Sequence, residues 1–169
     1  MRYAYLAAFV GTIPAANWMV GNVGTCVLNG PCLIPVAPGI MAPSGVLMIG
    51  LGLCLRDLVQ RKLGLWWAMG AILVGAALSA FLAPPALVAA SAAAFLLSEF
   101  ADLAVYTPLQ KRRLIAAVVA SGLVGLVIDS AVFLYVAFGS LDYIAGQIIG
   151  KAWMILLSVP VIVWMRRAA

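Results

Sequence analysis

Apolar residues in this chain neither alternate nor mark out one helical face. They run on for about a bilayer's thickness at a time, and about 20 helical residues are needed for one crossing. Six runs stand out: Tyr3 to Val20, Leu33 to Leu55, Leu65 to Leu82, Ala86 to Tyr106, Leu114 to Phe138 and Ile144 to Met165. The breaks fall at Pro, Gly and Asn clusters or at runs of charge, where helices end. This pattern predicts an all-α polytopic membrane protein, a single domain of six transmembrane helices over residues 1–169. The second run is irregular. Pro35, Pro38, Gly39, Pro43 and Gly45 crowd its first half, which leaves room for a broken or re-entrant segment covered by protein or a cavity. The first run follows Arg2 as a signal peptide would, but Pro14-Ala15-Ala16 is not a clean cleavage pattern, so the run is read as a retained helix.

Composition points the same way. Of the 169 residues, 66% are hydrophobic and 9% charged, against about 25% charged in a soluble domain. That balance excludes an ordinary soluble enzyme, a disordered chain and a nucleic-acid binder. Histidine is absent, which removes His-based triads, proton relays and metal sites. The three cysteines fit no zinc spacing, and neither metal nor cofactor is expected. Cys26 and Cys32 lie in the loop after the first run, where an oxidising compartment would permit a disulfide; two unpaired small residues are the equal alternative.

The net charge of +5 is distributed unevenly. Arg2 precedes the first run, Arg56, Arg61 and Lys62 follow the second, Lys111 to Arg113 follow the fourth, and Arg166 and Arg167 follow the sixth. Six crossings put all of these on one side, and the positive-inside rule makes that side cytoplasmic, with both termini there. By this reading Arg56, Asp57 and Gln60 close the second helix at the inner interface, and Asp57 with Arg61 forms a surface pair of little consequence.

Several polar groups lie within the apolar runs. A charge at the bilayer centre costs about 2.5–3.5 kcal/mol on the lenient insertion scale, so retained charges point to function more often than to helix glue. Glu99, Asp102 and Tyr106 share one face of the fourth run, with Asp102 nearer the surface. Asp129 shares a face of the fifth with Ser121, Gly125 and Phe133, while Gln147, Lys151 and Ser158 fall along one side of the sixth. Asp129 and Lys151 are each eleven residues from Ser140 at the turn between their helices, which sets them at similar depth. Asn17 and Trp18 end the first run, where a helix cap and an interfacial aromatic are the plain alternatives to a binding role. Carboxylates and amides beside the flat faces of Trp18, Tyr106, Phe133 and Trp153 suit a small, flat, polar heterocycle.

The order Ala15-Ala16-Asn17, Leu55-Arg56-Asp57-Leu58, Ser98-Glu99-Phe100-Ala101-Asp102, Gly125 to Ser130, and a last run holding Lys151 and Pro160 resembles the queuosine precursor transporter family, also called the putative vitamin uptake transporter family. The resemblance implies six helices in a bacterial inner membrane and uptake of 7-cyano- or aminomethyl-7-deazaguanine for tRNA modification. It also implies polar family positions at Asn17, Asp57, Glu99, Asp102, Asp129 and Lys151, though Glu99 stands where some members carry an amide. The expected substrate-binding set is Asn17, Trp18, Glu99, Asp102, Tyr106, Asp129, Gln147 and Lys151, with Asp57, Asp129 and Lys151 in coupling or gating.

A carrier for a 7-deazapurine is therefore the leading expectation, with the lipid bilayer as its surroundings, no nucleic-acid partner, and a homo-oligomer left open. The alternative is a substrate-binding membrane subunit of an energy-coupling-factor vitamin importer, which needs a partner ATPase complex because the chain has no ATP motif. An enzyme is not expected, since Glu99 and Asp102 have no activated nucleophile or metal cluster beside them.

Overall fold

The computed structural model describes residues 2–28, 31–83, 88–141 and 143–167. Ala86, the expected start of the fourth run, and Asp142, in the turn before the sixth, lie outside them. Six helices are described: α1 Arg2–Asn22, α2 Val46–Leu63, α3 Leu65–Leu82, α4 Val88–Leu109, α5 Leu114–Phe138 and α6 Ile144–Arg167. Residues 3–22, 65–82, 88–109 and 114–137 are long and apolar enough to cross a membrane. Their outward side chains, such as Trp66, Phe81, Leu97 and Tyr135, are exposed apolar surface suited to lipid.

The second apolar run departs from a single helix. Its first half forms β2 (Cys32–Ala37) and β3 (Ile40–Pro43), and β1 (Thr25–Cys26) pairs with β2 to complete a three-stranded antiparallel sheet. The helix begins only at Val46 and runs on to Leu63, past the expected end at Leu55. Proline explains the change: each one inside a helix removes a hydrogen bond and clashes with the preceding turn, at about 3 kcal/mol. A hairpin instead seats Pro38 in its turn before Gly39, whose φ of 73° suits the left-handed second corner of such a turn. Cys26 and Cys32 are register partners at the start of this sheet and are joined by a disulfide.

Contacts set the helix directions. Thr12 faces Gly52 and Ala16 faces Gly45, so α1 and α2 run antiparallel. The α2–α3 connection is Gly64 alone, at a φ of 101°, and α3 returns beside α1, with Tyr3 and Trp67 edge to face at 5.7 Å. Pairing of Asp102 with Gly125 and of Asp129 with Lys151 folds α4, α5 and α6 back on one another. The bundle thus has one end carrying the basic turns (Arg61–Lys62 and Lys111–Arg113) and one end carrying the sheet. Gly50 fixes the closest α2–α6 approach: a Cβ there would lie 2.6 Å from the Lys151 carbonyl oxygen.

Candidate functional site

Two buried charge clusters occupy the bundle at different depths. Nearer the basic turns, Arg56 is fully buried on α2 and gathers three carboxylates. Its Nη2 lies 2.6 Å from Asp102 Oδ1, its Nη1 lies 2.9 Å from Asp57 Oδ1, and its Nε donates to Glu99 Oε2 at 3.1 Å. Nη1 also reaches Gln60 Oε1 at 3.2 Å, and the guanidinium carbon stands 5.7 Å from the Tyr106 ring centre. Ser121 of α5 donates its hydroxyl proton to Asp57 Oδ2 at 3.1 Å. The small side of Gly125 lets α5 come against Asp102, since a Cβ there would sit 3.2 Å from the Asp102 Cβ.

This cluster is unbalanced. One guanidinium against three carboxylates gives a formal net charge of minus two, within apolar surroundings. Its hydrogen bonding is also incomplete. Asp102 Oδ2 and the Tyr106 hydroxyl are buried without a hydrogen-bond partner among the described residues. A buried polar group left in that state costs about 1–3 kcal/mol, and more when charged.

Toward the sheet end, Lys151 of α6 is fully buried and fully matched. Its three N–H donors meet Asp129 Oδ2 at 2.6 Å, Ser130 Oγ at 2.8 Å and Gln147 Oε1 at 2.7 Å. The cluster therefore ties α5 to α6 with one charge of each sign. The two clusters are close: Gly50, which touches the Lys151 backbone, is six residues and about 9 Å along α2 from Arg56. The sheet covers the Lys151 end, where Trp153 Nε1 donates to the Val36 carbonyl at 2.9 Å.

Below Arg56, Gln60 Nε2 donates to Thr107 Oγ1 at 3.0 Å. These two residues also line a groove of about 980 Å³ whose rim includes Lys111, Arg112 and Arg113. The Gln60–Thr107 pair thus stands between the acidic cluster and the basic face.

Among the sequence-predicted residues, the structure brings together Asp57, Glu99, Asp102 and Tyr106 in one cluster and Asp129, Gln147 and Lys151 in the other. Asn17 and Trp18 join neither among the described contacts. The Asn17 amide donates to the Ile13 carbonyl at 3.0 Å, and Trp18 is 62% exposed. The Asp57–Arg61 surface pair is corrected: Asp57 turns inward to Arg56 and Ser121, while Arg61 is exposed. Arg56 likewise leaves the set of loop cations, and Asp102 is fully buried. The cause is the displaced start of α2, which sets Arg56 eight residues, about 12 Å, before Gly64. Arg56, Gln60, Ser130 and Thr107 were absent from the predicted site. The legible signal was charge bookkeeping: three intramembrane carboxylates need a cation, and the pair Arg56-Asp57 is flanked by Leu55 and Leu58 at the end of an apolar stretch.

Comparison with known proteins supplies a family. No curated protein and no solved structure matches the chain. Residues 63–165, from the end of α2 into α6, match the family model described as putative vitamin uptake transporter. Glu99, Asp102, Asp129 and Lys151 lie within that match, and Arg56 and Asp57 precede it. With more than half of its residues matched, the chain belongs to the putative vitamin uptake transporter family.

Proposed function

We propose that this protein is a membrane carrier that imports a queuosine precursor, 7-cyano- or aminomethyl-7-deazaguanine, by alternating exposure of a site between α2, α4, α5 and α6. The observation that carries the reading is the charge-unbalanced, incompletely hydrogen-bonded acidic cluster buried in a transporter-family bundle. The guanine-like edge of such a cargo presents adjacent N–H donors, which two carboxylate oxygens accept together. The Glu99 carboxylate is assigned that contact, with Asp102 beside it, and Tyr106 offers its ring face and free hydroxyl. The Lys151–Asp129–Gln147 cluster acts as the gate toward the sheet end, and the Gln60–Thr107 pair as the gate toward the basic groove. In this reading the basic turns face the cytoplasm of a bacterial cell, both termini lie inside, and the disulfide-bonded sheet faces out. Asn17 and Trp18 then belong to the outer rim of the cargo path.

One observation favours a second reading, the substrate-binding subunit of an energy-coupling-factor importer. Ala4, Ala7, Ala8 and Gly11 form a stripe along α1 that is exposed in this structure, and small residues let another helix approach closely. The test separates the two. The chain is expressed alone in cells that lack their own precursor transporter and cannot make the precursor; 7-cyano-7-deazaguanine is supplied and queuosine is scored in tRNA. Modified tRNA is the expected result. Its absence, with the protein correctly inserted, turns the assignment toward another cargo or the partner-dependent importer.

A further inference from the structure

We infer that the Arg56 cluster is a proton-binding site centred on Asp102 and that the carrier moves a proton inward with its cargo; this rests on the carrier reading above. Two independent features lead to it. The first is charge: one guanidinium cannot balance Asp57, Glu99 and Asp102, and a site that must change exposure within a bilayer reorients more readily after its excess negative charge is neutralised. The second is hydrogen bonding. Asp102 Oδ2 is a buried acceptor with no hydrogen-bond donor among the described residues. A proton on that oxygen turns an orphan acceptor into a donor beside groups rich in acceptors.

The surroundings leave few competitors. From α2 the facing groups are Arg56, Asp57 and the buried thiol of Cys54; from α4, Glu99, Asp102 and Tyr106; from α5, the non-titrating Ser121, with Asp129 two turns further along. Asp129 is engaged by Lys151 of α6, and α3 contains no titratable residue. The step balances simply. A proton from water on the outer side bonds to the carboxylate of Asp102, and on the inner side that O–H bond breaks and the proton returns to water past Gln60 and Thr107.

Two measurements test this. Infrared difference spectroscopy of the purified protein during a pH titration is expected to show a protonated-carboxyl carbonyl band that Asp102→Asn removes and Asp129→Asn keeps. In proteoliposomes holding a pH-sensitive dye, 7-cyano-7-deazaguanine added outside is expected to acidify the lumen. Accumulation by the wild-type protein is then expected to fall at least tenfold when the acidic exterior is replaced by equal pH on both sides. Cargo flux without lumen acidification in the wild-type protein overturns the coupling and leaves the carrier standing. Absence of cargo flux overturns the cargo assignment, while the infrared band, which needs no cargo, still decides the proton site. A titration with no such band overturns that site even where Asp102→Asn fails to fold.

Discussion

Arg56 and Lys151 are both fully buried cations that hold carboxylates across helices, about two helical turns apart in depth, yet their surroundings differ. Lys151 meets one carboxylate and two neutral oxygens with three donors, so charge and hydrogen bonds both close. Arg56 meets three carboxylates, and the same cluster leaves a carboxylate oxygen and a phenol unpaired. A closed cluster is what a clasp between helices needs. An open one costs stability unless something else fills it, and groups kept at such a cost inside a membrane point to binding. The comparison divides the work: Lys151 holds α5 to α6, and in the proposed carrier Arg56 keeps a site ready for a ligand.

The strongest way to break this comparison is to remove the central cation. Arg56→Gln leaves three buried carboxylates without a counter-charge, and losing one partner of a buried pair costs about 3–5 kcal/mol. A fall in the unfolding midpoint and complete loss of tRNA queuosine are expected. Arg56→Lys is also expected to lose transport, because an ammonium cannot spread over three carboxylates as a planar guanidinium does.

Lys151→Met should cost toward the lower end of the same range of about 3–5 kcal/mol, since it strands only Asp129. Here a double substitution sharpens the contrast. Replacing the pair together, Lys151→Met with Asp129→Leu, removes both charges, and stability measured by denaturation should return close to wild type. Transport should remain impaired, because the gate has lost its clasp. Recovery of transport along with stability would reduce this cluster to helix glue.

How much of this was readable beforehand differs between the two clusters for a physical reason. Lys151 and Asp129 flank a short turn, so equal residue counts from Ser140 gave equal depth, and the 2.6 Å contact follows that geometry. The apolar runs 65–82 and 114–138 coincide with α3 and α5, since nothing within them competes with helix. Arg56 depends instead on where α2 begins. Residues 32–37 are an apolar stretch whose periodicity does not separate a strand from a buried helix, so the count from Leu33 ended the helix too early. That shift placed Arg56 at the surface and hid its partners. The gathering of α2, α4 and α5 about one guanidinium is a tertiary fact, carried by no spacing within a single helix.

A smaller effect tests whether the two clusters are held in register. Gly50→Ala would put a methyl 2.6 Å from the Lys151 backbone oxygen, and α2 and α6 must separate to admit it. Overpacking of this kind costs about 1–3 kcal/mol. Reduced transport with a modest drop in the unfolding midpoint is expected, and a neutral outcome would mean that α2 and α6 slide freely.

The smallest expected effect bears most directly on why the Arg56 cluster is left open. Tyr106→Phe removes a buried hydroxyl that has no partner, while keeping the ring beneath the guanidinium. If the phenol served only the resting structure, its loss would leave both stability and uptake unchanged. An orphan hydroxyl is instead a net cost, so the variant should be equal to wild type or more stable, by up to about 1 kcal/mol. Uptake should move the other way, with weaker apparent affinity for 7-cyano-7-deazaguanine, because the hydroxyl finds its partner only when cargo is present. A protein that gains stability while losing affinity is the signature of a group kept for its ligand; loss of both together would return Tyr106 to the packing of α4.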